Sequence, residues 1–213
     1  MLAYYHTGTA LAAASLDGSQ FWGYLEDIYD DAPRGSERRH FRGEAGKASL
    51  RSMRSLSLEP ALWFAQFGET YAEVKRTCET RLVQFGPYFQ LKVCDYMDRC
   101  LGYPIRSYAG LERNLPADPA KALKLMGEDF NLLCKEVAAR GIVAAPDFSR
   151  LAGPAEVETS LCGWKTTKLR GNWFGADILD KREMLHMVKG PEAAAFEDLL
   201  PPVLRKDMFT CVL

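Results

Sequence analysis

The sequence predicts an all-α fold. Apolar residues recur at three- and four-residue spacing through most of the chain, as at Val93, Met97, Cys100 and Leu101. No run of Val, Ile or Thr alternates with polar residues as a half-buried strand requires. Glycine and proline punctuate the periodic segments, at Gly68, Gly86-Pro87, Gly141 and Pro154.

The elements follow in order. An apolar first helix within residues 1–14 ends near Asp17-Gly18, and aromatic residues at helical spacing over 21–29 give the second. Pro33 and Gly35 mark a turn at 30–34, and a long polar helix of basic bias is expected over 37–56. Residues 59–67 and 70–83 read as two further helices separated by Gly68. Residues 87–101 are strongly helical, and 119–139 form one helix that stops at Arg140-Gly141. A helix over 154–168 has Pro154 in its first turn and glutamates near its positive end. The tail from Ala193 forms one more short helix before Pro201-Pro202. There is no internal repeat.

A chain of 213 residues with a net charge of −1 is large enough for a real core and shows no sign of disorder. One domain over 1–213 is expected. The six cysteines, at 78, 94, 100, 134, 162 and 211, have no CxxC spacing. That usage fits a reducing cytoplasmic compartment without disulfides, zinc or another metal. No signal peptide is evident, and no apolar run approaches the ~20 residues needed to cross a bilayer.

Three constellations carry chemistry. The first runs from Arg34 to Arg54, where seven Lys or Arg stand against two Glu. A local positive excess in a neutral chain is a candidate phosphate footprint, with Arg38, Arg42 and His40 able to engage phosphate oxygens; a solvated helix face explains the same charges equally well. The second is LVQFGPYFQLKVCD, residues 82–95, in which a helix, a tight turn at Phe85-Gly86-Pro87 and a second helix form a hairpin. Gly86 lets a backbone phosphate come close, and Pro87 suits a first helical position. Hairpins of this kind usually carry a glycine where this chain has Val83 or Gln84, and an ordinary helical turn is the alternative. Lys92, Asp95, Tyr96 and Arg99 make a polar face on the second helix. The third is EVETSLCGWKTTK, residues 156–168, which aligns Glu158, Leu161, Cys162 and Lys165 on one helical face. A thiol beside Lys165 gains thiolate character, and Trp164 can stack a base. Core packing is the plain alternative for both Cys162 and Trp164.

PRGSERRHFRG (33–43), FGPYFQLKVCDYMDRCLGYP (85–104) and EVETSLCGWK (156–165), in this order, resemble the amino acid:DNA transferases, also called α-glutamyl/putrescinyl thymine pyrophosphorylases. The resemblance spans roughly residues 20 to 180. It implies a helix-hairpin-helix domain related to DNA glycosylases, with the hairpin near 70–101. It also implies a bacteriophage enzyme of thymine hypermodification acting in the host cytoplasm. The expected substrate is double-stranded DNA carrying phosphorylated 5-hydroxymethyluracil, whose phosphate or pyrophosphate is replaced by an amino acid or polyamine. No cofactor is expected.

The resemblance implies a division of labour. Glu158, Cys162, Lys165, Asp95 and Lys92 do the chemistry. Arg34, Arg38, Arg39, His40, Arg42, Gly86, Trp164 and Lys168 bind DNA, the flipped base or the leaving phosphate. Glycosylases of this fold carry a catalytic Asp after the hairpin. The corresponding stretch here, YPIRSYA over 103–109, has no carboxylate, which disfavours base excision. A DNA-binding module without catalysis and a glycosylase for a modified base are the competing readings. A carboxylate-bearing amine would need an Arg clamp such as Arg106 or Arg170. A diamine would need acids such as Asp177 or Asp180.

Overall fold

A computed structural model describes residues 2–5, 7–14, 16, 18–32, 34–35, 38, 40–144 and 150–170, with the backbone alone at 7, 8, 11 and 165–170. The helix expected in the tail lies outside these residues, as do Arg39, Asp177, Asp180 and Cys211.

The described residues are helical, with isolated bridges at Thr70–Ser107 and Val143–Leu151 in place of any strand. The helices are α1 (Thr7–Ala14), α2 (Gly18–Asp27), α3 (Gly43–Leu56), α4 (Tyr71–Arg81), α5 (Pro87–Asp95), α6 (Ala117–Met126), α7 (Phe130–Ala139) and α8 (Pro154–Arg170). None is long and apolar enough to cross a membrane.

Local chemistry sets the boundaries. Thr70 starts α4 with a capping box: its side chain accepts from the Glu73 N–H, while the Glu73 carboxylate accepts from the Thr70 N–H. Gly86 and Pro87 start α5, and Asp129 starts α7 by accepting from the Leu132 N–H at 3.0 Å.

Three expected boundaries are corrected. The basic helix begins at Gly43 rather than residue 37, because Phe41 and Arg38 are drawn into the interior before the helix starts. The helix expected over 119–139 is two, α6 and α7. Gly127 leaves α6 at φ 72, and the extended Asp129 caps a new helix. Residues 59–67 form two short 3₁₀ turns, Pro60–Leu62 and Phe64–Gln66, between which the buried Trp63 donates its indole N–H to the Met53 carbonyl at 2.9 Å.

α5 is buried on nearly every side and packs against α4, while α8 lies against α6 and α7. The core joins Leu50 and Met53 of α3, Tyr71, Val74 and Cys78 of α4, Leu91, Val93 and Cys94 of α5, and Val157 and Leu161 of α8. Burial holds the core thiols protonated, pushing Cys78 up to about 12. A helix enclosed this way must satisfy the polar side chains it carries inward. Gln90 does so by donating to the Phe85 carbonyl at 3.0 Å and accepting from Asn114 at 2.6 Å. Asn114 also donates to the Tyr71 hydroxyl at 2.6 Å. Beyond Asp95 the helix widens into a π turn, Tyr96–Cys100, closed by Leu101 N–H to the Tyr96 carbonyl at 3.1 Å.

Asn114→Ala strands the buried Gln90 oxygen. It is expected to cost about 1–3 kcal/mol in urea unfolding, without loss of helix content by circular dichroism.

Candidate active site

The turn joining α4 to α5, residues 82–86, is held by side chains from three directions. Ser49 of α3 donates to the Val83 carbonyl at 2.6 Å, and the Val83 N–H donates to the Ser52 hydroxyl at 3.0 Å. Arg38 donates to the Gln84 carbonyl at 3.0 Å, and Gln90 takes the Phe85 carbonyl. Gln84 itself has φ 63, a left-handed conformation uncommon for a residue with a Cβ. This is one of the two positions where the sequence lacks the usual glycine. Its side chain donates to the His40 carbonyl at 3.2 Å, which docks the basic segment on the turn. Gly86 is exposed, and a Cβ built on it meets nothing within 4 Å. The backbone here is open to an approaching group.

The basic residues divide. Arg38 is 3% exposed and lies 3.8 Å from the Phe89 ring centroid, with its Nε donating to the Leu2 carbonyl at 2.8 Å. Burial pushes its pKa down to about 9. Arg34 donates to the carbonyls of Phe41 at 2.5 Å, Ala32 at 2.7 Å and Tyr29. Both were expected on a phosphate; in this structure Arg38 donates to a carbonyl of the turn and Arg34 to carbonyls of residues 29–41 ahead of α3. His40 and Arg42 are exposed beside that turn, Arg42 at the N-cap of α3.

Two turns along α5 from Gly86, the chain buries charge. Lys92 Nζ lies 2.6 Å from Asp95 Oδ2. Burial acts to lower the Lys92 pKa, but the adjoining carboxylate outweighs it and the pKa is raised. Asp95 Oδ1 is buried without a hydrogen bond, with Arg99 Nε standing off at 4.0 Å. Arg99 reaches Glu156 at 2.8 Å, and Arg150 bridges Glu156 and Asp98 at 2.7 Å each. This ladder joins α5 and its π turn to the start of α8.

One turn further along α8, Glu158 is 3% exposed, and among the described residues its side chain makes one long contact, 3.5 Å from the Thr159 hydroxyl. Burial raises its pKa to about 7; Lys92 opposes the rise and Asp95 adds to it. Leu161 points into the core, Cys162 is half-buried and Trp164 is 37% exposed, so Trp164 is no core residue. The side chains of Lys165 and Lys168 lie outside the described residues.

The structure thus pairs Lys92 with Asp95, puts Glu158 within their electrostatic reach, and docks the backbone of His40 on the turn that carries Gly86. Two participants escape a reading of the sequence. Tyr5, at φ 51, meets the Tyr88 hydroxyl at 2.8 Å and is electrostatically coupled to Lys92. No periodicity marks it. Arg150 is far from Asp98 in sequence, whereas Lys92–Asp95 and Asp95–Arg99, three and four residues apart, carried a readable signal. A separate apolar cavity of about 270 Å³, lined by Trp22, Trp63, Phe64 and Tyr96 among others, includes none of the charged group.

A buried carboxylate that titrates near neutrality, coupled to a lysine, is the equipment of acid–base catalysis more than of passive binding. Two curated relatives are similar over nearly the whole chain. The chain is 31% identical over 229 residues to the putrescinyltransferase of Delftia phage PhiW-14, covering 98% of this chain and 73% of the relative. It is 30% identical over 250 residues to the glycinyltransferase of Pseudomonas phage PaMx11, covering 95% of this chain and 85% of the relative. No family model matches the sequence. The chain belongs to the amino acid:DNA transferases, the phage enzymes of thymine hypermodification.

Glu158 also leaves a mark on stability. Its folded pKa lies above the ordinary 4.5, so the native state holds the proton more tightly than the unfolded chain. Its contribution is therefore full below pH 4.5 and is lost as pH rises towards 7, by about 3 kcal/mol in all. Glu158→Gln is expected to flatten this part of the stability–pH curve, as measured by urea midpoints at pH 5 and pH 8.

Proposed function

We propose that this transferase replaces the phosphate or pyrophosphate of a 5-(pyro)phosphomethyl-uracil in double-stranded DNA with the nitrogen of an amino acid or polyamine. The observation that carries the reading is the placement of both functions on one helix. α5 starts at the open turn and carries Lys92 six residues beyond Gly86, roughly 9 Å along the axis. A phosphate gripped at the turn and a base presented to Lys92, Asp95 and Glu158 are then a nucleotide's reach apart.

In this reading α4, the turn and α5 are the helix-hairpin-helix of a DNA-glycosylase-like helical domain extending over 1–213. Gly86, His40 and Arg42 meet the DNA backbone or the leaving phosphate, with Arg39 and Lys168 as further candidates. Arg38 supports them by fixing the turn, and Arg34 by fixing residues 29–41 ahead of α3. The target base leaves the stack, and Trp164 or Tyr88 packs on it.

The Cys162 thiolate adds to C6 of the uracil, and the electron pair moves to an enolate stabilised by Lys92 or Lys165. The enolate expels the phosphate as the C–O bond breaks, leaving an exocyclic methylene. The amine nitrogen adds to that methylene and regenerates the enolate. Glu158 or Asp95 takes the amine proton, and the enolate expels the thiolate to restore the C5–C6 double bond. Glu158, with a pKa of about 7, is a base matched to neutral pH.

Incubation with phosphomethyluracil DNA and a pool of amines, followed by nucleoside mass analysis, tests the reaction. An aminated thymidine is the expected product. Release of a free modified base would make the protein a glycosylase, and salt-sensitive DNA binding without either product would make it a binding module. Cys162→Ser is expected to abolish turnover while leaving DNA affinity within about twofold. A variant with full activity removes covalent catalysis from the scheme.

A further inference from the structure

The N-terminal segment is tied into the fold at several points. The Leu2 carbonyl accepts from Arg38 Nε at 2.8 Å, and the Tyr4 carbonyl from the Gly35 N–H at 3.0 Å. The Tyr4 hydroxyl donates to the Leu25 carbonyl of α2. Leu2, Ala3 and Tyr4 are buried, so these residues belong to the core. What this anchoring delivers is Tyr5. At φ 51 it holds a backbone conformation that is rare for a bulky side chain and persists only where the surroundings impose it. Its ring meets Phe89 edge-on, with centroids 5.9 Å apart, and lies 6.1 Å from the Tyr88 ring. The Tyr5 and Tyr88 hydroxyls share a hydrogen bond of 2.8 Å.

Tyr88 stands where the reaction needs an aromatic surface. It is two residues beyond Gly86 and four before Lys92. Tyr88, Lys92 and Asp95 follow at spacings of four and three, so all three share one face of α5. Lys92 Nζ is 5.7 Å from the Tyr88 ring centroid. Trp164, the other aromatic candidate, is six residues beyond Glu158 and so about 120° around α8 from it. The Tyr88 ring is half-buried and is fixed at both ends, at its Cα by α5 and at its hydroxyl by Tyr5. A ring held this way receives a ligand without first losing conformational freedom.

We propose that Tyr5 is a positioning residue of the active site: its hydroxyl fixes the Tyr88 ring, and the extruded base packs on Tyr88 beside Lys92. This rests on the reading that the target base leaves the stack and meets α5.

Tyr5→Phe and Tyr88→Phe, made singly and together, test it, because phenylalanine keeps each ring and removes only the hydroxyl. Each single variant is expected to lower kcat/KM for phosphomethyluracil DNA about fivefold, the scale of one neutral hydrogen bond. The double variant is expected to lose no more than either single one, since all three lack the same bond. A 2-aminopurine beside the target base, which brightens when its neighbour unstacks, is expected to brighten with the wild type and less with each variant. Single variants within twofold of the wild type, or losses that multiply in the double variant, overturn the pairing. So does a merely structural bond, which would lower Tm and leave turnover and probe unchanged. If the wild type brightens the probe but transfers no amine, the reaction fails as a reading and the probe alone decides the pair. If the wild type does not brighten it, base extrusion fails and the role of Tyr5 falls with it. Should Tyr5→Phe not fold, Tyr88→Phe breaks the same bond and decides.

Discussion

Much of this protein depends on the pairing of buried charge between α5 and α8. A carboxylate taken out of water must find a cation or a proton, and both helices bring carboxylates to the same place. Lys92, Arg99 and Arg150 meet most of that demand, and in doing so tie the start of α8 to α5 and its π turn. Such pairing contributes little net stability. Its effect is to fix position, because sliding α8 along α5 would bury charges without partners. Glu158, left outside the pairing, takes up a proton more readily than a solvated glutamate does.

The turn ahead of α5 is governed by the same requirement applied to backbone. Its carbonyls at Val83, Gln84 and Phe85 accept from Ser49, Arg38 and Gln90, each reaching in from a different segment. Gln84 adopts a left-handed conformation without glycine's freedom, a strain these bonds help to hold. Arg38 shows how a basic motif can serve structure. Its guanidinium joins the N-terminal segment at Leu2 to the turn across the faces of Phe85 and Phe89, while His40 and Arg42 from the same motif face outward.

Local signals were legible where local physics decides. α5 and α8 begin at the Gly-Pro pair and the proline that mark them in the sequence, and α4 begins within a residue of the start expected after Gly68. Expectations went wrong where a helical pattern continued across a break, as at Gly127 and Asp129, or where a basic run looked like one amphipathic helix. In the second case, the burial of Phe41 and Arg38 outweighed helical propensity before residue 43.

The sequence by itself determined the all-α class, the turn at Gly86, and the three motifs that carry the resemblance to the phage transferases. Each of these follows from spacing and residue type within a short stretch of chain. Tertiary structure alone decided which motif residues meet. It put Glu158 within electrostatic reach of Lys92 and Asp95, brought Tyr5 to Tyr88 and Arg150 to Asp98, and turned Arg34 and Arg38 onto backbone carbonyls. The reason is that desolvation belongs to an environment rather than to a residue. Whether an arginine binds phosphate or a carbonyl, and whether a glutamate ionises near pH 4 or pH 7, depends on what the rest of the chain packs around it.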